Sequence, residues 1–272
     1  MTKRIVIASQ KGGVGKTTVA LHLALALAER GRRTLLVDLD PQGGIGLSLA
    51  RADAELPGIA DRLMNLISAE QSVVPTHLPT LSLLPRGRLD PIDVCEFEQA
   101  LFAPGVLDSV LREVEGAFDI VILDTPSGLG MITRGALRAS GFVLLPFQAS
   151  ALSLRSISQA LRVVEHVRGA ENPELALLGI LPTMAERDHE PSQEILVDIW
   201  TGFAGVLDTV IPRSDVFTRA SREGLPVGYL GGPIAPEARR FETLAAEVEG
   251  LMETMSPSEA RHADRPRRQL LG

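Results

Sequence analysis

Short Leu-rich or β-branched runs alternate with longer segments of helical periodicity along most of the chain. This is the pattern of a parallel sheet covered by helices on both faces. The apolar runs Arg4–Ser9, Thr34–Asp38, Leu81–Pro85, Asp119–Leu123, Phe142–Pro146, Ala176–Leu181 and Val206–Ile211 read as strands. Between them, Lys16–Arg30, Asp61–Ser68, Phe97–Glu115, Thr133–Ala139, Leu154–Arg168, Pro191–Phe203 and Pro236–Met255 read as helices. Lys16–Arg30 is apolar almost all round, which predicts a helix buried under other elements and closed by Gly31. No repeat, low-complexity stretch or Pro/Gly-rich linker divides the chain, so residues 1–255 read as one α/β domain. Residues 256–272 are polar and carry four arginines, and read as a flexible C-terminal tail.

Composition narrows the chemistry. Apolar residues are 45% and charged residues 22% of the 272, which excludes wholesale disorder. Aromatics are only 4%, so Ala, Leu, Val and Ile must build the core. The single cysteine, Cys95, excludes a disulfide framework and any cysteine-based zinc or iron–sulfur site within one chain. The longest apolar run, Val19–Ala28, is too short to span a bilayer, and the N-terminus lacks a signal-peptide core; a cytoplasmic protein is expected. The net charge of −7 opposes constitutive nucleic-acid binding but leaves room for a local basic patch.

Between the first strand and the first helix lies Gln10-Lys11-Gly12-Gly13-Val14-Gly15-Lys16-Thr17-Thr18. Glycines there let the backbone curl so that several N–H groups converge on one concavity, and the helix adds its positive end. Lys16 is placed to reach β- and γ-phosphates, and the Thr17 hydroxyl to ligate Mg2+. The usual phosphate-loop pattern fails at its first glycine, replaced by Gln10, while a second lysine, Lys11, opens the loop. Asp40 and Asp124 each follow a strand, which puts both carboxylates at the carboxyl edge of the sheet. Asp40-Pro41 and Asp124-Thr125-Pro126 read equally as strand-terminating turns when taken singly; their register with a phosphate loop favours a metal site. Asp38, two residues before Asp40, is expected in the outer shell of that metal.

KGGVGKTT resembles the deviant Walker A motif of the ParA/MinD family of ATPases, which use a P-loop NTPase fold. Val37–Gly43 and Ile120–Ser127 are similar to that family's second motif and Walker B strand, and the similarity extends to about Met255. The resemblance implies ATP and Mg2+ as cofactors, Asp124 holding the metal through water, and Asp40 orienting the attacking water. It implies that Lys11 reaches across an ATP-dependent homodimer to phosphates bound by the partner subunit. It brings Thr183-Met184 and Ile211-Pro212-Arg213 to the adenine and ribose. ParA-like members bind DNA non-specifically through basic residues; the candidates here are Arg187, Arg213, Arg219 and Arg222, with Arg219 and Arg222 out of register with the family pattern.

The resemblance therefore implies a positioning or segregating ATPase associated with the nucleoid. Its slow hydrolysis would be stimulated by a ParB-like or other partner. Ser127-Gly128 departs from the family's loop sequence. A MinD-like membrane-associated ATPase is the alternative, but Glu237, Glu242, Glu247, Glu249 and Glu253 make the last helix acidic, and no stable membrane anchoring is expected. A regulatory ATP-binding switch without DNA binding is another; the presence of both Asp40 and Asp124 argues for hydrolysis. Cys95 reads as inert, and His22, His166 and Trp200 as packing or surface residues.

Overall fold

A computed structural model describes residues 2–49, 56–150, 153–186 and 190–255. Arg187 and residues 256–272 lie outside the described residues, as does the strand-to-helix junction at 151–152. The strands are β1 (Lys3–Ile7), β2 (Thr34–Asp38), β3 (Val74–Pro75), β4 (Leu81–Leu84), β5 (Ile120–Asp124), β6 (Phe142–Gln148) and β7 (Ala176–Thr183). They form one sheet in the order β3-β4-β2-β5-β1-β6-β7, parallel throughout except for the antiparallel pair β3–β4.

Side chains alternate across each strand and so feed two cores. Ile5 and Ile7 of β1, Leu36 of β2 and Ile122 of β5 face one layer, with α1 (Lys16–Glu29) and α11 (Pro236–Thr254) over them. Val6, Leu35, Val37, Val121 and Leu123 face the other. That layer holds α5 (Val94–Phe102), α6 (Val106–Val114), α7 (Met131–Arg138) and α8 (Ser153–Ala170). The remaining helices are α2 (Gly44–Leu49), α3 (Ile59–Leu63), α4 (Ala69–Ser72), α9 (Glu190–Gly202) and α10 (Asp215–Glu223).

The all-round apolar character of the first helix has the expected result: α1 is buried from Val19 to Ala28. His22 is a packing residue within it. Its ring stacks on Phe241 at 4.9 Å between centroids and meets Phe217 edge-on at 5.9 Å. Nδ1 donates to the Thr18 carbonyl at 2.8 Å and Nε2 accepts from the Val227 amide at 3.0 Å, which fixes a neutral tautomer.

Three expectations change. The helix expected over Phe97–Glu115 is two, α5 and α6, because Pro104-Gly105 intervenes and Gly105 takes φ 78°. The helix expected from Asp61 to Ser68 is instead α3, which starts at Ile59 and ends at Leu63, followed by a turn that leads to Ser68, the N-cap of α4. Val206–Ile211 does not form a strand. It runs beside β7 and makes isolated bridges, Ile180 with Val206 and Ala185 with Pro212. Its Asp208 and Thr209 amides donate to the Glu247 carboxylate of α11, at 2.8 and 3.1 Å, and are lost to the ladder.

Burial pushes the His22 imidazole down to about 4. The unfolded chain takes the proton first, so stability falls as pH drops from the ordinary histidine range toward that value. Denaturant unfolding is expected to lose about 2–3 kcal/mol from this residue between about pH 7 and pH 4, and His22→Gln to lose correspondingly less over the same range.

Candidate functional site

The central strands β2, β5 and β1 lie side by side, with Asp38 in register with Asp124 and Asp124 with Ile7. The chain leaves each strand at this one edge, so the segments after β1, β2 and β5 converge. After β1 the chain turns through Gly13 (φ 72°) and Gly15 (φ 86°), a conformation that costs a side-chain-bearing residue about 1 kcal/mol or more. Gly15 is the N-cap of α1. No side chain caps this helix end and no acidic residue lies in its first turn. The first helical bond is Val19 N–H to the Gly15 carbonyl, at 2.8 Å. The preceding amides of the turn therefore face a positive, uncapped helix end suited to an anion.

Around this turn several contacts fix the loop. Ser9 Oγ donates to the Lys11 carbonyl at 2.7 Å, and Thr183 Oγ1 lies 2.8 Å from both the Val14 and Phe147 carbonyls. Lys16 is buried, and that burial pulls its ammonium below the usual lysine range against the opposing pull of Asp124 and Asp40. Lys11, Gly12 and Gly13 stay partly or fully exposed on the outer side of the loop.

The acidic side is strongly asymmetric. Asp124 is fully buried, and neither carboxylate oxygen has a hydrogen-bond partner of good geometry among the described residues. Burial first, then the Asp38 carboxylate, pushes it up to about 8, with the Thr17 hydroxyl and Lys16 ammonium opposing. Asp38 is also buried and is pushed up to about 6, with two backbone bonds restraining the rise. Its oxygens accept from the Asp40 and Ile45 amides, both at 3.1 Å. Asp38 thus holds the loop and the start of α2. Asp40, partly exposed, accepts from the Gln42 amide at 2.9 Å and closes its own turn.

Orphaned buried oxygens beside a hydroxyl and an ammonium are a poor arrangement for an empty protein and a fitting one for a hard cation with oxygen ligands. Asp124, Thr17 and the neighbouring Asp40 supply such oxygens, and the uncapped turn supplies phosphate donors. The structure brings the loop from Lys11 to Thr18 together with Asp40 and Asp124 at one edge of the sheet. Thr183 and Met184 lie against this loop, and Pro212 and Arg213 pair with the two residues after Met184, Ala185 and Glu186. The Met184 methyl lies 3.8 Å from where a β-carbon on Gly15 would sit, and Arg213 N–H donates to the Ala185 carbonyl at 3.0 Å. The Thr183 hydroxyl is occupied by backbone carbonyls rather than turned outward.

Two supporting residues escaped the sequence reading. Arg86 Nη1 donates to the Pro41 carbonyl at 2.7 Å and braces the Asp40 turn from behind. Gly44 sits so close to Thr17 that a β-carbon there would meet its side chain at 3.3 Å. No spacing rule points to either; only the pairing of β2 with β4 brings Arg86 to the turn. Among the basic candidates, Arg213 pairs with Glu186 at 3.0 Å and Arg219 lies 3.9 Å from Glu223, while Arg222 stands exposed on α10.

Residues 2–177 match the family model described as AAA domain. Over 255 residues the chain is 33% identical to the chromosome-partitioning ATPase Soj of Treponema pallidum, covering 91% of this chain and 97% of that one. It is 35% identical over 229 residues to the chromosome partitioning protein ParA of Caulobacter vibrioides, covering 82% and 85%. Among solved structures, cobyrinic acid a,c-diamide synthase from Mycobacterium smegmatis with bound ADP and magnesium matches with TM-score 0.76 and 30% identity over 99% of this chain and all of that one. The cell division ATPase MinD of Pyrococcus furiosus matches with TM-score 0.74 and 27% identity over 92% of this chain and all of that one.

A buried acid whose folded-state value is raised keeps its proton while the unfolded chain loses it, so its contribution to stability falls as pH rises from the ordinary carboxylate range to the raised value. Asp124→Asn is expected to stabilise the nucleotide-free protein, by an amount that grows by about 3–4 kcal/mol from about pH 5 to about pH 8, while the magnesium-dependent part of ATP affinity is lost. Denaturant titrations at the two pH values and ATP titrations with and without EDTA check this.

Proposed function

The chain belongs to the ParA/MinD family of P-loop ATPases, and from that membership we propose an ATP-dependent, dimerising ATPase of the ParA type that positions or segregates cargo. The observation that carries this reading is the pair of lysines in one loop. Lys16 is buried against the carboxylates, whereas Lys11 stays partly exposed on the loop's outer side. In this reading Lys16 serves the phosphates of its own subunit and Lys11 those of a neighbour.

ATP and Mg2+ are the cofactors, and the metal, when bound, neutralises charge on the β- and γ-phosphates. The chain's own residues do the rest. Amides from Gly12 to Thr18 cradle phosphate oxygens, Lys16 pairs with them, and Thr17 with Asp124 holds the metal, Asp124 through water. Asp40, at the end of a turn fixed by Asp38 and Arg86, orients the attacking water. Thr183, Met184, Pro212 and Arg213 line the base and ribose side, chiefly through backbone. Two nucleotides facing each other across a symmetric dimer repel strongly, and Lys11 donated in trans offsets that repulsion. ATP then acts as the link between subunits, and loss of the γ-phosphate releases them. Turnover is slow until a partner protein, ParB-like in kind, stimulates it.

The ATP-bound dimer binds DNA without sequence preference and so associates with the nucleoid. Arg213, Arg219 and Arg222, with Arg187 outside the described residues, supply the phosphate contacts. A membrane-bound role of the MinD kind has less support. No helix of the described residues is long and apolar enough to cross a membrane, and α11 carries five glutamates. A second reading, amide formation at an activated carboxylate, draws on the Mycobacterium smegmatis neighbour.

Light scattering of Asp40→Ala with Mg·ATP is expected to give dimers, and Lys11→Ala to give monomers that still bind ADP. Lys16→Ala loses nucleotide affinity about 10- to 100-fold, the value of one charge-assisted contact. Monomers in every nucleotide state contradict the proposal; turnover only with an added carboxylate acceptor favours the amide-forming reading. Random-sequence DNA is bound with ATP and not with ADP, and Arg219→Ala with Arg222→Ala lowers the salt slope by about 1 per arginine. Filter or anisotropy titrations across a salt series check it.

A further inference from the structure

The Asp40 carboxylate is held by a single peptide unit. Pro41 and Gln42 share a planar amide, whose carbonyl and N–H point in opposite directions. On one side the Gln42 N–H donates to Asp40 Oδ1 at 2.9 Å. On the other the Pro41 carbonyl accepts from Arg86 Nη1 at 2.7 Å. Rotating that unit breaks both bonds together, so the guanidinium sets the direction of the N–H that holds the carboxylate.

The unit is the centre of a turn, closed by the Gly43 amide on the Asp40 carbonyl at 2.8 Å. Proline at the second position of a turn suits two forms, which differ by a flip of this central peptide. The flipped form needs positive φ at the third position, and Gln42 does not take it. Arg86 adds a charge-assisted bond to the unflipped form alone.

Arg86 lies flat beneath the turn, where a β-carbon on Gly43 would meet its Nε at 3.4 Å and its Cζ at 3.5 Å. Nε donates to the Gly87 carbonyl at 3.1 Å, so one planar group bridges its own backbone and the Asp40 turn. A lysine offers a point charge and cannot span both.

The backbone that carries Arg86 is held by a buried carboxylate outside the nucleotide site. Asp61 of α3 is 2% exposed, and its Oδ2 accepts from the Gly58 and Arg88 amides, both at 3.0 Å. The Ile59 and Ala60 amides donate to the Pro85 and Arg86 carbonyls, both at 2.9 Å. Gly87, at φ 86°, has Asp61 Oδ2 within 2.5 Å of where a β-carbon would sit, which leaves no room for a side chain.

We propose that Arg86, presented by Asp61, is a positioning residue for hydrolysis, fixing the Pro41–Gln42 peptide in the orientation that aims the Asp40 carboxylate at the attacking water. The effect on hydrolysis rests on the ATPase reading above; the fixing of the peptide does not. The hydrogen bonds of Arg86 go to Gly87 and Pro41, and to none of the groups assigned to phosphate or metal among the described residues. Its loss therefore falls on the chemical step and spares ATP binding.

Mg·ATP turnover of the full chain is measured for wild type, Arg86→Met, Arg86→Lys and Asp61→Asn. Arg86→Met keeps the aliphatic contact under Gly43 and removes both donors. It is expected to lower kcat about 10-fold or more with KM within about twofold of wild type. Arg86→Lys falls between the two, and Asp61→Asn lowers kcat about 3-fold or more. Arg86 is only partly buried, so its substitution does not empty the core. In the nucleotide-free protein, NMR hydrogen exchange of the Gln42 amide is expected to quicken about 10-fold in Arg86→Met. Unchanged kcat in Arg86→Met, a loss carried by KM, or unchanged Gln42 exchange overturns the proposal. Absence of turnover in wild type defeats the ATPase reading instead, and the Gln42 exchange then decides whether Arg86 fixes the peptide.

Discussion

Asp38 and Asp124 stand side by side at the ends of adjacent strands, both cut off from water, and the rest of the site is organised around that placement. Loss of hydration raises both above the ordinary range, and the Asp38 carboxylate adds to the rise at Asp124. One of them is satisfied by backbone: Asp38 takes the amides of Asp40 and Ile45 and so fixes a turn and a helix start. The other has no well-formed hydrogen bond among the described residues, only the Thr17 hydroxyl and the Lys16 ammonium nearby. Strain of this kind persists only where a stable scaffold imposes it, and here the scaffold is the wholly buried strands β2 and β5 with the buried end of β1, Ile5 to Ile7. The nearest counter-charge, Lys16, is itself partly stripped of hydration. The cluster is completed by what it binds: anion at the helix end, cation at the orphaned oxygens.

Much of this was legible in the sequence because the strands that matter are short, apolar and buried on both faces. Thr34–Asp38 was bounded to the residue, and α1 begins at Lys16 as its glycine-rich approach requires. Once the strand ends are known, Asp40 and Asp124 must share an edge with the loop after β1. What the sequence hid were partners remote along the chain. Glu247 takes two amides from a segment nearly forty residues earlier and so cancels a strand that hydrophobicity alone favours. Thr183 reads as a nucleotide contact by position, yet its hydroxyl is directed to the Val14 and Phe147 carbonyls. The Pro104-Gly105 interruption was overridden by an amphipathic pattern that continues in phase on both sides.

The same connections explain how the site communicates with its surroundings. α2 is a short helix with glycines at its first and third positions, held at one end by Asp38 and packed there on Thr17. Its other face is the wall of an apolar cavity. Arg86 holds the Pro41 carbonyl and so fixes the turn that leads into α2.

Amide hydrogen exchange, followed segment by segment with ATP plus EDTA and then with Mg·ATP, tests the central claim most directly. If the orphaned carboxylate is what links the three converging segments, ATP alone protects residues 10–19. Addition of magnesium then extends protection to residues 38–46 and 124–130 together. Protection confined to residues 10–19 in both conditions contradicts the account, because the buried pair would then be a static feature of the sheet with no part in assembling the site.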